Sequence, residues 1–350
     1  VVYVPESEAA TRRPPKADVY VLDVRGKDHL PAYVAQLTRD ISTLGFVLLT
    51  TALDPGLMLE AMRAGIRECV AEPLESAELE AAIARVSAER SSRGDVFAFV
   101  GAKGGVGTTT AAVNVALELS AVAPKKTLLV DLHMSNGDAA VFLAEEPRFT
   151  VADAIENAHR LDESVLRTLV LRSKNRLDLL ASPDSGPGGV ADVARIRMLL
   201  DFAARNYRYT ILDVPRSEPA ALDALQAASK IVVVANQELA TIRSASRMAA
   251  TLRHHYGKDR LALALTRYDP NAEIGENHVQ GAVGLKARYL VPSDYRRAIE
   301  ALNSGNPLSM GNHNRLSASF KSMAYDLAGL KAEEETESRA RLFGRFKGKK

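Results

Sequence analysis

Cysteine is almost absent, with Cys69 the single one in 350 residues. One cysteine excludes an intramolecular disulfide framework, a CxxC redox pair and a multi-cysteine zinc site, and it fits a reducing cytoplasm. Long apolar runs are missing too. None approaches the ~18 residues that a bilayer span needs. No signal peptide is evident, although Val1 in place of Met reads as a trimmed N-terminus. A strong charge of one sign is also lacking, since 45 basic residues face 43 acidic ones. Even the net +2 is local. Arg339, Arg341, Arg345, Lys347, Lys349 and Lys350 put six positive charges into the last twelve residues and leave −4 on the rest. Such a body is a poor field for wrapping nucleic acid, so no specific nucleic-acid partner is expected. What is present is a globular balance, 47% hydrophobic and 25% charged. At roughly 100–200 residues per domain, the length implies two domains or three.

Residues 1–90 read as a small alternating β/α unit. Ala17–Asp23, Phe46–Thr51 and Glu68–Ala71 are short strand runs. Helical spacing appears between Asp54 and Ala64 and over Ser76–Arg90, where Leu79, Ile83 and Val86 share a face. Residues 91–95 read as a linker. A second β/α series fills 96–330, with strand-like runs at Val96–Val100, Thr127–Asp131, Leu177–Ala181, Tyr209–Asp213, Ile231–Ala235, Leu261–Thr266 and Arg288–Val291. Most are apolar on both faces, which predicts a doubly wound, covered parallel sheet with ligands at its C-terminal strand ends. Residues 331–350 read as a polar, basic tail.

The most informative stretch is Phe99–Thr110, FVGAKGGVGTTT. A buried strand enters a glycine-rich turn and then a helix expected from Thr109 to Ala121. Glycines let successive N–H groups curl around phosphate oxygens, and the helix N-terminus adds its dipole. The standard GxxxxGK[ST] loop fails at two positions, because Ala102 replaces its first glycine and Thr108 its lysine. Thr109 keeps the hydroxyl that would ligate Mg²⁺. A dinucleotide-binding turn would use Asp131 for the ribose, but GxGxxG is not present.

Lys103 before Gly104-Gly105 gives KGGxG, which resembles the deviant phosphate loop of the MinD/ParA superfamily. The resemblance implies an α/β P-loop NTPase that binds ATP and Mg²⁺ and forms a face-to-face homodimer. It implies a nucleotide cradle of Ala102, Lys103, Gly104, Gly105, Val106, Gly107, Thr108, Thr109 and Thr110. Lys103 would reach the partner subunit's phosphates. Asp131 would act at the reaction centre, and Asp213 of YTILDVP would hold the metal through water. The pieces TLLVDL, Arg160-Leu161-Asp162, LLASP (Leu179–Pro183), LTRYDP (Leu265–Pro270) and VPSDYRRAIEALNSGNPL (Val291–Leu308) resemble the CpaE/TadZ branch. That branch implies assembly of Flp (tight adherence) pili, with a pilus secretion ATPase and inner-membrane platform proteins as partners. It also implies a cytoplasmic protein peripheral to the inner membrane at a cell pole. MinD-like site placement and ParA-type DNA partitioning are the alternatives.

Branch members carry an N-terminal receiver-like domain, a role that residues 1–90 suit. Asp23 resembles its phosphoacceptor, and Thr50 or Thr51 with Glu72-Pro73 resemble its switch threonine and Lys-Pro. Glu72 reverses the lysine's charge, so a pseudo-receiver serving as a docking module is expected. Three other departures weaken hydrolysis without forbidding binding. Thr108 removes the loop lysine, His133 stands where relatives have the acid that positions water, and Thr266 replaces an adenine-reading Asn. His133 and the other histidines show no metal-ligand spacing in sequence. In the tail, Leu342, Phe343 and Phe346 ringed by basic residues resemble membrane-targeting tails and would meet an anionic membrane surface.

Overall fold

In a computed structural model that describes residues 17, 19–40, 45–124, 126–184, 192–310 and 314–330, the chain forms two sheets, one parallel and one parallel but for an edge strand. The tail with Leu342, Phe343 and Phe346 lies outside the described residues.

The first sheet has three parallel strands in the order β1 (Val19–Asp23), β2 (Gly45–Thr50), β3 (Glu68–Ala71). Alternation along β2 sends Phe46 and Leu48 to one core and Val47 and Leu49 to the other. A strand whose successive side chains point to opposite faces needs cover on both sides. Helices Ala32–Asp40, Pro55–Arg63 and Ser76–Ser92 supply the connections. At the C-terminal strand ends, Arg25 bonds both oxygens of Asp23, at 2.9 and 2.6 Å, and reaches Glu72 at 3.1 Å. The residue that resembles a phosphoacceptor therefore has its carboxylate filled by a guanidinium fork.

The expected linker is shorter than its sequence implied. Residues 91 and 92 close the helix Ser76–Ser92, so only Arg93 and Gly94 precede the next strand. Gly94 already donates to Ala204 O at 2.7 Å, docking the chain at once on the second unit.

The second sheet has eight strands, ordered β11 (Ala287–Pro292), β10 (Leu261–Tyr268), β9 (Lys230–Ala235), β4 (Asp95–Gly101), β8 (Tyr209–Val214), β5 (Thr127–Asp131), β7 (Asp178–Leu180), β6 (Leu171–Arg172). All neighbours are parallel except β6 and β7, which run antiparallel at the edge. This two-residue strand was not expected. It is too short to leave a periodic signal, and it closes on a turn with Arg176 at φ 62°. Elsewhere alternation divides the core cleanly. Val96, Ala98 and Val100 of β4 face one cluster, and Phe97 and Phe99 face the other. Both clusters are capped by helices, so the central strands have no solvent face, as parallel sheets require.

Candidate nucleotide site

Strands β4, β8 and β5 end together. Phe99 is in register with Asp213, and Asp213 with Asp131. The turn leaving β4 therefore opens directly in front of two aspartates that are some 80 residues apart in sequence.

The turn runs from Gly101 to Gly107 and starts helix Thr108–Val122 one residue earlier than expected. Gly105 and Gly107 sit at φ 75° and 86°, the left-handed region that only glycine enters at no cost. Side chains hold three of the loop's carbonyls. The Thr266 hydroxyl reaches Val106 O at 2.6 Å, and Arg267 donates to Gly105 O at 2.9 Å. Arg216 donates to Ala102 O at 3.4 Å, while Ala102 N–H bonds Val234 O at 2.8 Å. In a trans peptide the next N–H points opposite the carbonyl. Carbonyls so tied turn the N–H groups of Lys103, Val106 and Gly107 the opposite way. Outside the loop the space is open, since a Cβ built on Gly104 or Gly105 meets nothing within 4 Å. Together with the helix N-terminus this is a preformed anion cradle. Ala102 and Val106 are buried beneath it, and Thr108, Thr109 and Thr110 line the helix start, partly exposed. Lys103 is exposed, and among the described residues its ammonium has no ion-pair or hydrogen-bond partner.

Asp213 is fully buried, and both its carboxylate oxygens lack a hydrogen-bond partner. Burial, and then the charge of Asp131, push its pKa up to about 7. The Thr109 hydroxyl stands near without bonding geometry and offsets this only in part. A buried, unpaired carboxylate is costly unless a cation or a donor meets it. The residues present therefore fit a metal ion between Thr109 and Asp213.

Asp131 is arranged differently. Its Oδ1 accepts from His133 N at 3.1 Å and Nδ1 at 2.7 Å, and its Oδ2 from Ala139 N at 3.3 Å. With its oxygens so engaged, Asp131 orients His133. Burial works against a charged His133 ring, but the Asp131 bond and charge outweigh it and lift its pKa to about 8. Ligand atoms of Asp131, His133 and Asp213 all lie within 4.8 Å of one another. No histidine shows metal-ligand spacing along the chain, yet the structure brings His133 beside two carboxylates. Sequence proximity could not show a contact made through strand register.

Comparison with known proteins agrees with this geometry. A protein-family model described as an AAA domain matches residues 94–264. The septum site-determining protein MinD of Thermotoga maritima is 23% identical over 244 residues, covering 67% of this chain and 89% of its own. A ParA family ATPase from Chlorobium tepidum aligns with TM-score 0.61 and 28% identity, over 67% of this chain and 98% of its own. MinD from Pyrococcus horikoshii, solved with Mg-ADP, aligns with TM-score 0.58 and 19% identity, over 68% and 99%. The larger unit has the parallel-sheet P-loop NTPase fold of the MinD/ParA type. These matches together support the MinD/ParA superfamily for this domain.

Within this domain, sequence reasoning missed the loop's supports. Thr266 was weighed only as a lost adenine reader, yet it and Arg267, at φ 49°, clamp the loop from β10. Gly137 was also missed. A Cβ there would lie 2.3 Å from Asp131 Oδ2 and 2.5 Å from Ser182 Cβ. Gly137→Ala is therefore expected to destabilise the protein by about 1–3 kcal/mol through overpacking. Urea denaturation measures it, and an unchanged midpoint contradicts the close approach. A cavity of about 1010 Å³, lined by Glu60, Arg63, Asp95, Arg197 and Asp201, opens at the opposite end of β4 and shares no residue with the phosphate loop. Among the described residues, no helix is long and apolar enough to cross a membrane.

Proposed function

We propose that this chain is an ATP-binding assembly and localisation protein of the Flp/Tad pilus type. It works as a nucleotide-dependent homodimer that recruits a pilus secretion ATPase and inner-membrane platform proteins. The observation that supports nucleotide binding is the open glycine-rich loop beside the unpartnered carboxylate of Asp213. Mg²⁺ would be held by Thr109 directly and by Asp213 through water, and would supply charge neutralisation at the phosphates. The similar Pyrococcus protein carries Mg-ADP, which favours the same ligand here.

The pilus branch rests on the Val291–Leu308 segment. Its helix Tyr295–Ser304 is capped by Asp294 and has no buried residue. Tyr295 is 73% exposed and stands available to a partner. MinD-like site placement is the second reading, favoured by relatives such as the Thermotoga protein. Purified partners separate the two. The pilus reading expects the secretion ATPase to be retained by the full chain with ATP and released without it. Retention of a septum-site partner instead would favour the second reading. The basic tail would add contact with anionic membrane through Leu342, Phe343 and Phe346.

Hydrolysis is expected to be slow, because Thr108 and His133 replace charged groups that act on the transferring phosphoryl. The double variant Thr108→Lys/His133→Asp should turn over faster than the wild type. A wild-type rate of about 1 s⁻¹ or more, typical of a competent phosphoryl-transfer enzyme, would contradict this.

A further inference from the structure

The cavity at the opposite end of β4 has walls from both units. Its volume is about 1010 Å³, and it takes Leu30 and Arg63 from the first unit and Arg93 and Met198 from the second. Arg63 is exposed, and among the described residues its guanidinium has no hydrogen-bond or ion-pair partner. Glu60 on the same helix is already engaged, by His29 Nδ1 at 3.0 Å and by Leu30 N–H at 2.8 Å. Arg93 shares the carboxylate of Asp201 with Arg205, and Arg67 reaches the same carboxylate at 3.7 Å. One negative charge divided among three guanidiniums leaves Arg93 short of a full counter-ion. Arg197 differs, since Asp223 holds it with bonds of 2.8 and 3.0 Å. Asp95 is the remaining acid of the wall, and burial pushes its pKa up, which disfavours its charge there. Met198, 46% exposed, and the half-buried Leu30 give the cavity apolar surface beside these charges.

We propose that this cavity is a second ligand site, for a small organic anion with an apolar body and a phosphate or carboxylate head. Clefts between domains that join apolar surface to a few convergent polar groups are where small molecules bind, and this volume stands at the upper end of their range of about 300–1,000 Å³. A planar guanidinium fork matches a phosphate or carboxylate with two parallel bonds. Arg63 has its donors available for such a head, and Arg93 gains the counter-charge that Asp201 divides. The apolar body lies along Leu30 and Met198, where covering them removes apolar surface from water. Arg63 and Arg93 belong to different units, so a bound anion ties the units together at the junction that Gly94 already docks. The site shares no residue with the phosphate loop, and the inference stands apart from the nucleotide reading.

The test uses anilinonaphthalene sulfonate, a fluorescent anion with an apolar body, on the full chain with saturating ATP and Mg²⁺. Its fluorescence should saturate at one site per chain. The uncharged analogue phenylnaphthylamine should bind at least about tenfold more weakly, since it makes no charge-assisted bond. Arg63→Gln should weaken the anion by about tenfold, leave the uncharged dye unchanged and keep the wild-type urea midpoint. Amide hydrogen exchange with the anion bound should slow at residues 60–67 and 93–96 and stay the same at residues 101–107. Equal affinity of the two dyes for the wild type, which needs no variant to fold, overturns the proposal and leaves an apolar cleft. Arg63→Gln binding the anion as tightly as the wild type overturns it as well, as does slowed exchange confined to residues outside the cavity. A signal that appears only when ATP is left out would put the anion in the nucleotide cradle, and the second site falls.

Discussion

Asp213→Asn should raise the stability of the nucleotide-free protein near neutral pH while weakening its Mg²⁺-dependent nucleotide binding. In the unfolded chain this carboxyl ionises at its ordinary value of 3.8, whereas in the folded protein burial and Asp131 hold the proton on until about 7. Between those values the folded state binds more protons than the unfolded one, so stability falls as pH rises. Above the folded value the whole loss is in place. Asparagine keeps the shape and has no charge to desolvate. His133 runs alongside. Its folded pKa is raised to about 8, so its contribution is full below 6.5 and fades as pH passes 8. Removing Asp213 leaves the main His133 partner, Asp131, in place. The variant's advantage should therefore be small at about pH 4 and grow to its full size by about pH 7.5. Urea unfolding at several pH values reads this directly through the midpoint. A wild type that equals or exceeds the variant at the upper pH would show that the buried carboxylate is not strained. The expected trade between stability and binding is the usual one where a site holds a charge in readiness for a ligand.

Much of this site could be read along the chain, and the reason is local. Glycine placement at Gly105 and Gly107, a buried strand before and a helix after are contiguous features, so the loop was legible from FVGAKGGVGTTT. Seven of the main-sheet strands were legible too, because runs such as Thr127–Asp131 are apolar on both faces and end where the pattern breaks. What escaped was set by register and by distance. The pairing of Asp131 with Asp213 follows from β5 lying beside β8, which no spacing in the chain encodes. His133 read only as the replacement of a water-positioning acid, and the register is what puts it within reach of a second carboxylate. Arg267 belongs to β10, more than 160 residues from the carbonyl it holds. Arg25 filling Asp23 was likewise hidden, because the sequence shows charges but not which of them meet.

Lys103→Ala should weaken ATP-linked dimerisation by about tenfold or more. The lysine follows Ala102, which is anchored to β9 through Val234 O, so its backbone is fixed while its side chain projects from the cradle. Among the described residues nothing engages its ammonium, and the adjacent Gly104 offers no side chain to crowd an incoming phosphate. An exposed cation on a fixed backbone beside an anion site needs little reordering to reach a second anion. Charge-assisted bonds to phosphate contribute roughly 1.5–3 kcal/mol each, and about 1.4 kcal/mol is tenfold in an equilibrium constant. In a symmetric dimer each protomer supplies one such lysine, so the substitution removes the contact twice. Its effect on dimerisation should therefore exceed its effect on ATP affinity of the monomer, where the cradle's N–H groups remain. Sedimentation equilibrium with saturating ATP and Mg²⁺ measures the first, and titration with a fluorescent nucleotide at low protein concentration measures the second. Lys103→Arg should restore part of the dimer, because charge survives while the geometry of a single ammonium does not. An unchanged dimer fraction for Lys103→Ala would remove the cross-subunit role and leave the lysine a ligand of its own protomer's phosphates.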